Sequence, residues 1–147
     1  MTTAMPDPRA QALLEWLLAE TGASRVTLRR DLPGDYPFAV VEEALAPGVA
    51  SLRDERTVHL PTQPVVLEIM KGNQVVQDDS RAAFDDPAYQ RMLEVYGGMA
   101  AQIVTPIVVD GEVRAIISLH QLGASRAWTD AEIGLATETA ARVKELL

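Results

Sequence analysis

The clearest hydrophobic pattern in the chain lies in residues 105–123, TPIVVDGEVRAIISLHQLG. Two apolar runs flank Asp110-Gly111, a dipeptide typical of the two-residue turn of a β-hairpin. With that turn, Val109 faces Glu112, and the rest of the register follows because side chains alternate between the two faces of a sheet. The pattern therefore predicts two long antiparallel strands.

This register gives the hairpin two different faces. One face is purely apolar, which is typical of a surface covered by helices, and comprises Val104, Pro106, Val108, Val113, Ala115, Ile117 and Leu119. The other, called the mixed face below, comprises Ile103, Thr105, Ile107, Val109, Arg114, Ile116, Ser118 and His120. Small-molecule sites are usually apolar with a few donors and acceptors. The mixed face is therefore predicted to line a cavity.

Periodic apolar positions predict a helix at each end of the chain. Leucines at helical spacing within residues 1–23 indicate the first helix, with Asp7 as its N-cap. The last helix, residues 129–147, opens with Thr129 as N-cap and Glu132 three residues on, which together form a capping box. Its apolar residues recur three and four apart, the spacing of paired helices.

Short strands and short helices are expected between these two helices. Apolar runs at 25–32 and 38–48 predict two strands, and the second strand could continue toward residue 60. A short helix is expected over 63–72, a short strand over 74–79, and a further helix from Asp86-Pro87. The whole chain, 1–147, is thus predicted to be one domain, with sheet and pocket elements in 24–128.

Composition excludes several classes of function. The chain has 147 residues, no cysteine and a formal net charge of -8. Without cysteine there is no disulfide, thiolate nucleophile, thiolate zinc site or thioether-linked chromophore. The acidic balance argues against binding of nucleic acid, which depends on clustered Lys and Arg, and no apolar run is long enough to span a bilayer. We therefore expect a soluble, cytoplasmic protein that binds neither nucleic acid nor membrane.

His120 is the mixed-face residue with the widest chemistry, since it could bind a ligand carboxylate, ligate haem iron or bond a loop carbonyl. Thr105 and Ser118, near each other across the hairpin, could bind a ligand or pair with each other. The acidic loop before Asp86 could hold a cation or serve only as a solvated turn. The candidate pocket residues are Thr105, Ile107, Ile116, Ser118, His120, Asp79 and Phe84.

Two adjacent arginines add a second possibility. Arg29 and Arg30 are consecutive on a predicted strand, so they face opposite sides of the sheet, and one of them could present its guanidinium to an anion. Glu42 and Glu43 have the same geometry on the next strand and could neutralise that charge instead. Of the two interpretations, the sequence favours neutralisation by Glu42 or Glu43.

Three passages resemble GAF domains: GNQVVQDDSRAAFDDPAY (72–89), AQIVTPIVVDGEVRAIISLH (101–120) and RAWTDAEIGLATETAARV (126–143). The resemblance extends over about 24–147. It implies an α+β fold: a central antiparallel sheet of five to six strands, with the terminal helices on one face. On the other face it implies a ligand cavity covered by short helices and loops. Ala115 departs from the family, which commonly has Gly there.

The resemblance does not imply one function, because members of the family bind cyclic nucleotides, tetrapyrroles, small acids or no ligand. The cyclic-nucleotide signature is not matched around Asn73 and Phe84, and the sulfoxide-reductase type needs cysteine. The LHQ…RAW passage is similar to phytochrome-like members, in which the His lies against the bilin. This points to His120 and Arg126, although any bilin would be unlinked here.

The first hypothesis is a non-catalytic sensory module that binds an unidentified small organic ligand under the mixed face. The alternatives are a structural dimerisation module with a collapsed pocket, or a haem or tetrapyrrole sensor. No constellation of catalytic residues is visible, so an enzyme is not expected. No cofactor and no Soret absorbance are expected either, because neither His59 nor His120 has the sequence context of an axial ligand.

Surplus apolar residues on the terminal helices predict association. Each helix can bury one stripe against the sheet, and several leucines fall outside it. We therefore expect a twofold homodimer through these helices. The residues predicted at its interface are Trp16, Leu18, Leu135 and Val143.

Overall fold

The computed structural model of the chain describes residues 6–147, so the first five residues of the predicted N-terminal segment lie outside the described part. Within it the chain forms four α-helices and five strands. Their bounds are α1 Pro8–Thr21, β1 Arg25–Arg30, β2 Ala39–Leu45, α2 Pro64–Ile69, β3 Val75–Gln77, α3 Pro87–Val95, β4 Met99–Val109, β5 Glu112–Leu122 and α4 Asp130–Lys144.

The five strands form one antiparallel sheet in the order β2-β1-β5-β4-β3. This confirms the predicted α+β class and the number of strands. The suggested continuation of the second strand is wrong, because β2 ends at Leu45 and the chain turns at Pro47 and Gly48, where the φ angle of 81° is unfavourable for other residues. The segment from there to α2 contains no strand.

The terminal helices cover one face of the sheet. Asp7 caps α1 by accepting a hydrogen bond from the backbone N–H of Arg9, and Thr129 with Glu132 forms the predicted capping box of α4. Leu14, Leu17 and Val143 on these helices are fully buried in one apolar cluster with the sheet. No helix within residues 6–147 is long and apolar enough to cross a lipid bilayer.

A second apolar cluster lies on the opposite face, under α2, α3 and the loop that follows β2. Each short helix begins with proline at its first position, where the missing N–H costs no helical bond. Ile69 of α2 and Met92 of α3 point inward from these helices and are buried. The sheet is therefore packed on both faces, and the terminal helices lie opposite the short ones.

The β4–β5 hairpin contains an irregularity that the sequence pattern did not predict. Val109 pairs with Glu112 across the expected turn, but the register shifts between Ile107 and Val108, so that Ile107 pairs with Ala115 rather than with Arg114. A bulge of one residue moves all following side chains of one strand to the other face. The predicted faces are therefore right for β5 from Ala115 onward, and they are wrong for Val113 and for β4.

As a result, residues of β4 exchange sides relative to the prediction. Ile103 and Ile107 pack in the cluster under the terminal helices, and Val104 packs in the opposite cluster. On β5, Ile117 lies under the helices and Ile116 on the opposite side, as expected. No glycine lies at the bulge to mark its position, since the nearby Gly111 belongs to the turn.

The outer side of β4 is only partly covered. β3 pairs with Gln102 to Val104 alone, so β4 has no neighbouring strand on that side from Thr105 onward within the described residues. Pro106 lies in this open stretch. The backbone groups of successive strand residues point to alternate neighbouring strands. The Arg114 carbonyl accepts from Asp31 N–H on the β1 side, so Ala115 points to β4 and pairs with Ile107. The nitrogen of Pro106, one residue before Ile107, therefore points to the open side. Proline is tolerated there because no ladder bond is lost.

Candidate functional site

A buried cavity lies between the sheet and the layer of short helices. Its walls come from β1, β4 and β5 on one side and from α2, α3 and the neighbouring loops on the other. All of its lining residues are buried. They are Arg29, Phe38, Leu60, Gln63, Val65, Val66, Ile69, Met92, Tyr96, Gln102, Val104, Ile116, Ser118 and His120.

The cavity is small. The space inside it that the centre of a water molecule can reach is about 40 Å³. One buried water needs roughly 10–15 Å³ on this measure. The site as it stands therefore has room for a few water molecules or for a ligand of a few non-hydrogen atoms.

Arg29 brings a positive charge to the cavity wall. Alternation along β1 directs Arg25, Thr27 and Arg29 to the cavity side of the sheet. The Arg29 side chain is buried, with a relative exposure of 6% for the residue. Its Nη1 donates to the Phe38 carbonyl at 3.0 Å and its Nη2 to the Tyr96 hydroxyl at 3.2 Å. Both of these partners are neutral.

The carboxylates that could have neutralised Arg29 are used elsewhere. Glu42 accepts a hydrogen bond from the backbone N–H of Asp7 at 2.9 Å, and Glu43 accepts one from the backbone N–H of Leu52 at 2.8 Å. Neither forms an ion pair with Arg29, and within residues 6–147 no carboxylate oxygen lies within 4.0 Å of its guanidinium. Of the two interpretations of the arginine pair, the structure agrees with a guanidinium left without a carboxylate.

Arg25 lies beside the cavity and holds His120. Its Nε donates to His120 Nδ1 at 3.1 Å, and its two Nη atoms donate to the carbonyls of Ala50 and Tyr96 at 3.0 and 2.6 Å. Burial lowers the pKa of Arg25 to about 10, and the nearby Glu43 partly opposes this effect. Arg25 is therefore still a cation at neutral pH.

His120 is a neutral imidazole. Burial first, and then the charges of Arg25 and Arg29, hold the pKa of His120 well below its ordinary value of 6.5. Because Nδ1 accepts a hydrogen bond from Arg25, the ring proton is on Nε2. The imidazole also stacks on Tyr96, with ring centroids 5.9 Å apart. His120 therefore offers an N–H donor and no second lone pair.

These features do not fit a haem or tetrapyrrole. Axial ligation by Nε2 needs its lone pair, with the proton on Nδ1 held by an acceptor, whereas Nδ1 of His120 faces the donor Nε of Arg25. A cavity of about 40 Å³ is also far too small for a macrocycle or an open-chain tetrapyrrole. Within residues 6–147, no three His, Asp or Glu side chains come together as a metal site would require.

Two glutamines complete the polar part of the wall. Gln63, in the loop before α2, is 4% exposed and its Oε1 has no hydrogen-bond partner among the described residues. Gln102 of β4 donates from Nε2 to Oε1 of Gln77 at 2.9 Å. An acceptor buried without a partner costs about 1–3 kcal/mol, so Gln63 is a group that a bound molecule could satisfy.

The structure brings three of the predicted site residues together. Ile116, Ser118 and His120 follow one another on the same face of β5 and all line the cavity. Thr105 and Ile107 do not, because the bulge in the hairpin places them under the terminal helices. Thr105 Oγ1 accepts a hydrogen bond from Gln74 Nε2 at 2.9 Å, and the same amide bonds Thr137 of α4.

Asp79 and Phe84 also lie away from the cavity. Asp79 is exposed and precedes the short 3₁₀ turn Ser80–Ala82, and Phe84 is half-exposed with its ring edge against Tyr89. Two acids of this loop have structural partners: Asp78 accepts from the backbone N–H of Trp128 and Asp86 caps α3. The loop follows the short edge strand β3, which leads it away from the centre of the sheet.

Three polar residues of the wall were missed from the sequence. Gln102 is on β4, and the shifted register alone moves it to the cavity side, so a correct placement of the bulge would have identified it. Tyr96 reads as the last apolar position of α3, with no sign of its bonds to the two arginines. Gln63 carries no sequence signal beyond its place before Pro64.

Solved structures with a similar fold include GAF domains of cyanobacteriochromes. The cyanobacteriochrome TePixJ GAF domain matches with a TM-score of 0.75 and 20% identity over 100% of this chain and 99% of that one. The photoproduct state of GAF3 from Slr1393 of Synechocystis sp. PCC6803 has a TM-score of 0.74 and 19% identity over 92% and 89%. JSC1_58120g3 with bound biliverdin has a TM-score of 0.71 and 18% identity over 90% and 83%.

At such low identity these likenesses show the fold alone. No curated protein sequence matches the chain. The sequence model of the GAF domain, in contrast, matches residues 6–145, which is almost the whole chain. The match agrees with the five-stranded sheet, the paired terminal helices and the cavity on the opposite face. The chain therefore belongs to the GAF domain family.

Proposed function

We propose that this chain is a sensory module that binds a small organic molecule in the cavity lined by Arg29, Gln63 and His120. The observation that carries the proposal is the character of the cavity. It is buried and mostly apolar, and it holds polar groups that the described residues leave without partners. Such a combination is typical of small-molecule sites. Similarity to GAF domains of cyanobacteriochromes supports a sensory role.

The ligand we propose is smaller than the biliverdin bound in one of those neighbours. The limited volume argues against a ligand of the size of biliverdin, and the tautomer of His120 argues against ligation of haem iron, so the proposal concerns a metabolite of a few non-hydrogen atoms. A filled, purely structural site is the alternative. The guanidinium of Arg29, buried with only neutral partners among the described residues, favours binding over that alternative.

A route for the signal is built into β5. Side chains of this strand alternate, so Ile116, Ser118 and His120 line the cavity while Ile117 and Leu119 pack in the cluster under α1 and α4. Any movement of β5 that follows binding changes the packing of the terminal helices. We propose that these helices transmit the state of the cavity to a partner.

Native mass spectrometry of freshly purified protein tests the proposal, together with thermal unfolding across a panel of metabolites. Two neighbouring residues of α2 provide matched variants. Val66 lines the cavity and is 9% exposed, whereas Leu67 points outward and is 54% exposed. Val66→Phe fills the cavity and should abolish both a retained ligand and ligand-induced stabilisation, whereas Leu67→Phe should preserve both.

Circular dichroism shows whether each variant is folded. Wild-type protein that carries no ligand and gains no thermal stability from any compound would reject the proposal and favour a structural module. A ligand that binds Val66→Phe as well as wild type would show that binding takes place outside this cavity.

A further inference from the structure

We infer that the molecule recognised in the cavity is a carboxylate with a short aliphatic chain, and that Arg29 is the residue that binds its charged group. This inference rests on the proposed function, because it names the chemical class of ligand for the same cavity. It is supported by three separate features of the wall: its charge, its available donors and its apolar remainder.

The cavity wall carries a positive charge and has no acidic residue to neutralise it. Of its fourteen lining residues, Arg29 is charged and none is an acid. His120 adds no negative charge because it is a neutral imidazole. Glu42 and Glu43, the nearest acids on β2, contact Arg53 at 3.9 and 4.0 Å and the backbone groups described above. A buried charge without a counter-charge is costly, and a bound anion removes that cost.

The donors of Arg29 are only partly used. A guanidinium has five N–H groups, and the hydrogen bonds to the Phe38 carbonyl and the Tyr96 hydroxyl use two of them. The rest can serve a carboxylate, whose planar pair of oxygens matches the fork of an arginine. Ser118 and the Nε2–H of His120 are further donors on the same wall.

The apolar part of the wall suits a hydrocarbon chain. Leu60, Val65, Val66, Ile69 and Met92 line the side formed by α2, α3 and the preceding loop, and none of them carries a charged or amide group. An inorganic anion would leave this surface without a partner. The limited volume restricts the chain to a few carbons, so propionate is a suitable probe.

Isothermal titration calorimetry with sodium propionate and propionamide tests the inference, with sodium chloride at equal ionic strength as blank. The two probes have nearly the same shape and differ in charge. Propionate should bind at least about tenfold more tightly, because a hydrogen bond to a charged group is worth about 1.5–3 kcal/mol. Arg29→Gln should remove this preference and lower the affinity for propionate by about tenfold or more.

Arg30→Gln is the matched control. Arg30 is the next residue of β1 and points to the helix-covered face, so its loss should change the affinity for propionate less than about twofold. If Arg29→Gln does not fold, Arg29→Lys keeps the charge without the fork and should still bind propionate more weakly. In either case, the ratio of the affinities for propionate and propionamide in the wild type shows whether the cavity prefers a carboxylate.

The outcomes separate this inference from the proposed function. Equal affinities for propionate and propionamide would reject the carboxylate and leave the cavity as a binding site. Sodium nitrate binding as tightly as propionate would reject the aliphatic part. Failure of propionate to bind, while another compound stabilises wild type and not Val66→Phe, would reject the carboxylate class and retain the function. Preference for propionate that is lost in Arg29→Gln and kept in Arg30→Gln would support the inference.

Discussion

At the level of single residues, His120 links the cavity wall to the electrostatics of the core. Its pKa is lowered by burial and by Arg25 and Arg29, so the folded protein keeps the ring neutral at pH values where an unfolded chain would protonate it. The unfolded state then binds more protons than the folded state below pH 6.5. His120 therefore contributes no pH dependence at higher pH and destabilises the fold as the pH falls below that value.

We expect the free energy of unfolding to decrease by up to about 1.4 kcal/mol per pH unit below 6.5 because of this residue. His120→Gln keeps an acceptor for Arg25 and removes the titrating ring, so its urea unfolding curves should show a smaller loss of stability between pH 7 and pH 5. The exposed His59, replaced in the same way, is the control. Equal pH dependence in wild type and His120→Gln would contradict the prediction.

The residues of the site differ in how far the sequence determines them. Strict alternation along a strand places Arg29 and Arg30 on opposite faces, and the sequence alone supports that much. Which of them faces the cavity, and whether Glu42 or Glu43 neutralises it, depends on the bulge in β2 and on loop contacts from Leu52. Such long-range contacts have no signature in the local pattern.

At the level of elements, replacing glycine by alanine should have opposite effects on stability in the β4–β5 turn and in the last helix. Gly111 has a φ of +79° in the β4–β5 turn, which strains any residue with a Cβ, while Gly134 lies in α4 with open space around it. Gly111→Ala should destabilise the protein by about 1 kcal/mol or more. Gly134→Ala should stabilise it by about 0.5–1 kcal/mol, because alanine favours the helix.

Chemical denaturation with urea measures both changes. The substitution is identical, so a difference in sign isolates the backbone conformation as the cause. Destabilisation by Gly134→Ala would show that the residue has a packing role not evident from its surroundings, and a neutral Gly111→Ala would show that the turn tolerates an ordinary residue.

Elements with local signals were predicted better than those without. The capping box of α4, the N-cap of α1 and the Asp110-Gly111 turn all depend on residues within a few positions of one another, and all were found. The bulge opposite Ile107 and Val108, in which Arg114 of β5 is the extra residue, depends on how two strands fit a twisted sheet, and it was missed. That single residue explains why Thr105 and Ile107 were assigned to the cavity.

At the level of the whole molecule, the predicted homodimer remains a prediction, with a revised interface. Trp16 is 37% exposed, and Leu18 and Leu135 are partly exposed on the terminal helices. Val143 has no exposed surface and packs in the core of the single chain, so it cannot contact a second chain as predicted. We expect the interface to comprise the first three of these residues.

Sedimentation equilibrium at micromolar concentration should give the mass of two chains. The double variant Leu18→Glu and Leu135→Glu should shift it to that of one chain, because two charges would be desolvated in each half of the interface. Leu67→Glu, on the opposite side of the molecule, is the control and should remain dimeric. A wild-type mass of one chain at all concentrations would reject the dimer.

The position of Pro106 has a consequence for how molecules meet one another in solution. A long strand that ends a sheet with its backbone groups open invites other chains to add to it, and this is a common start of aggregation. The nitrogen of Pro106 faces the open side of β4 and has no hydrogen to donate. A strand added there would therefore have one carbonyl oxygen without a hydrogen-bond donor. The proline therefore makes the outer side of β4 a poor template for intermolecular sheet growth. With this protection, β4 can be long enough to support both packed layers.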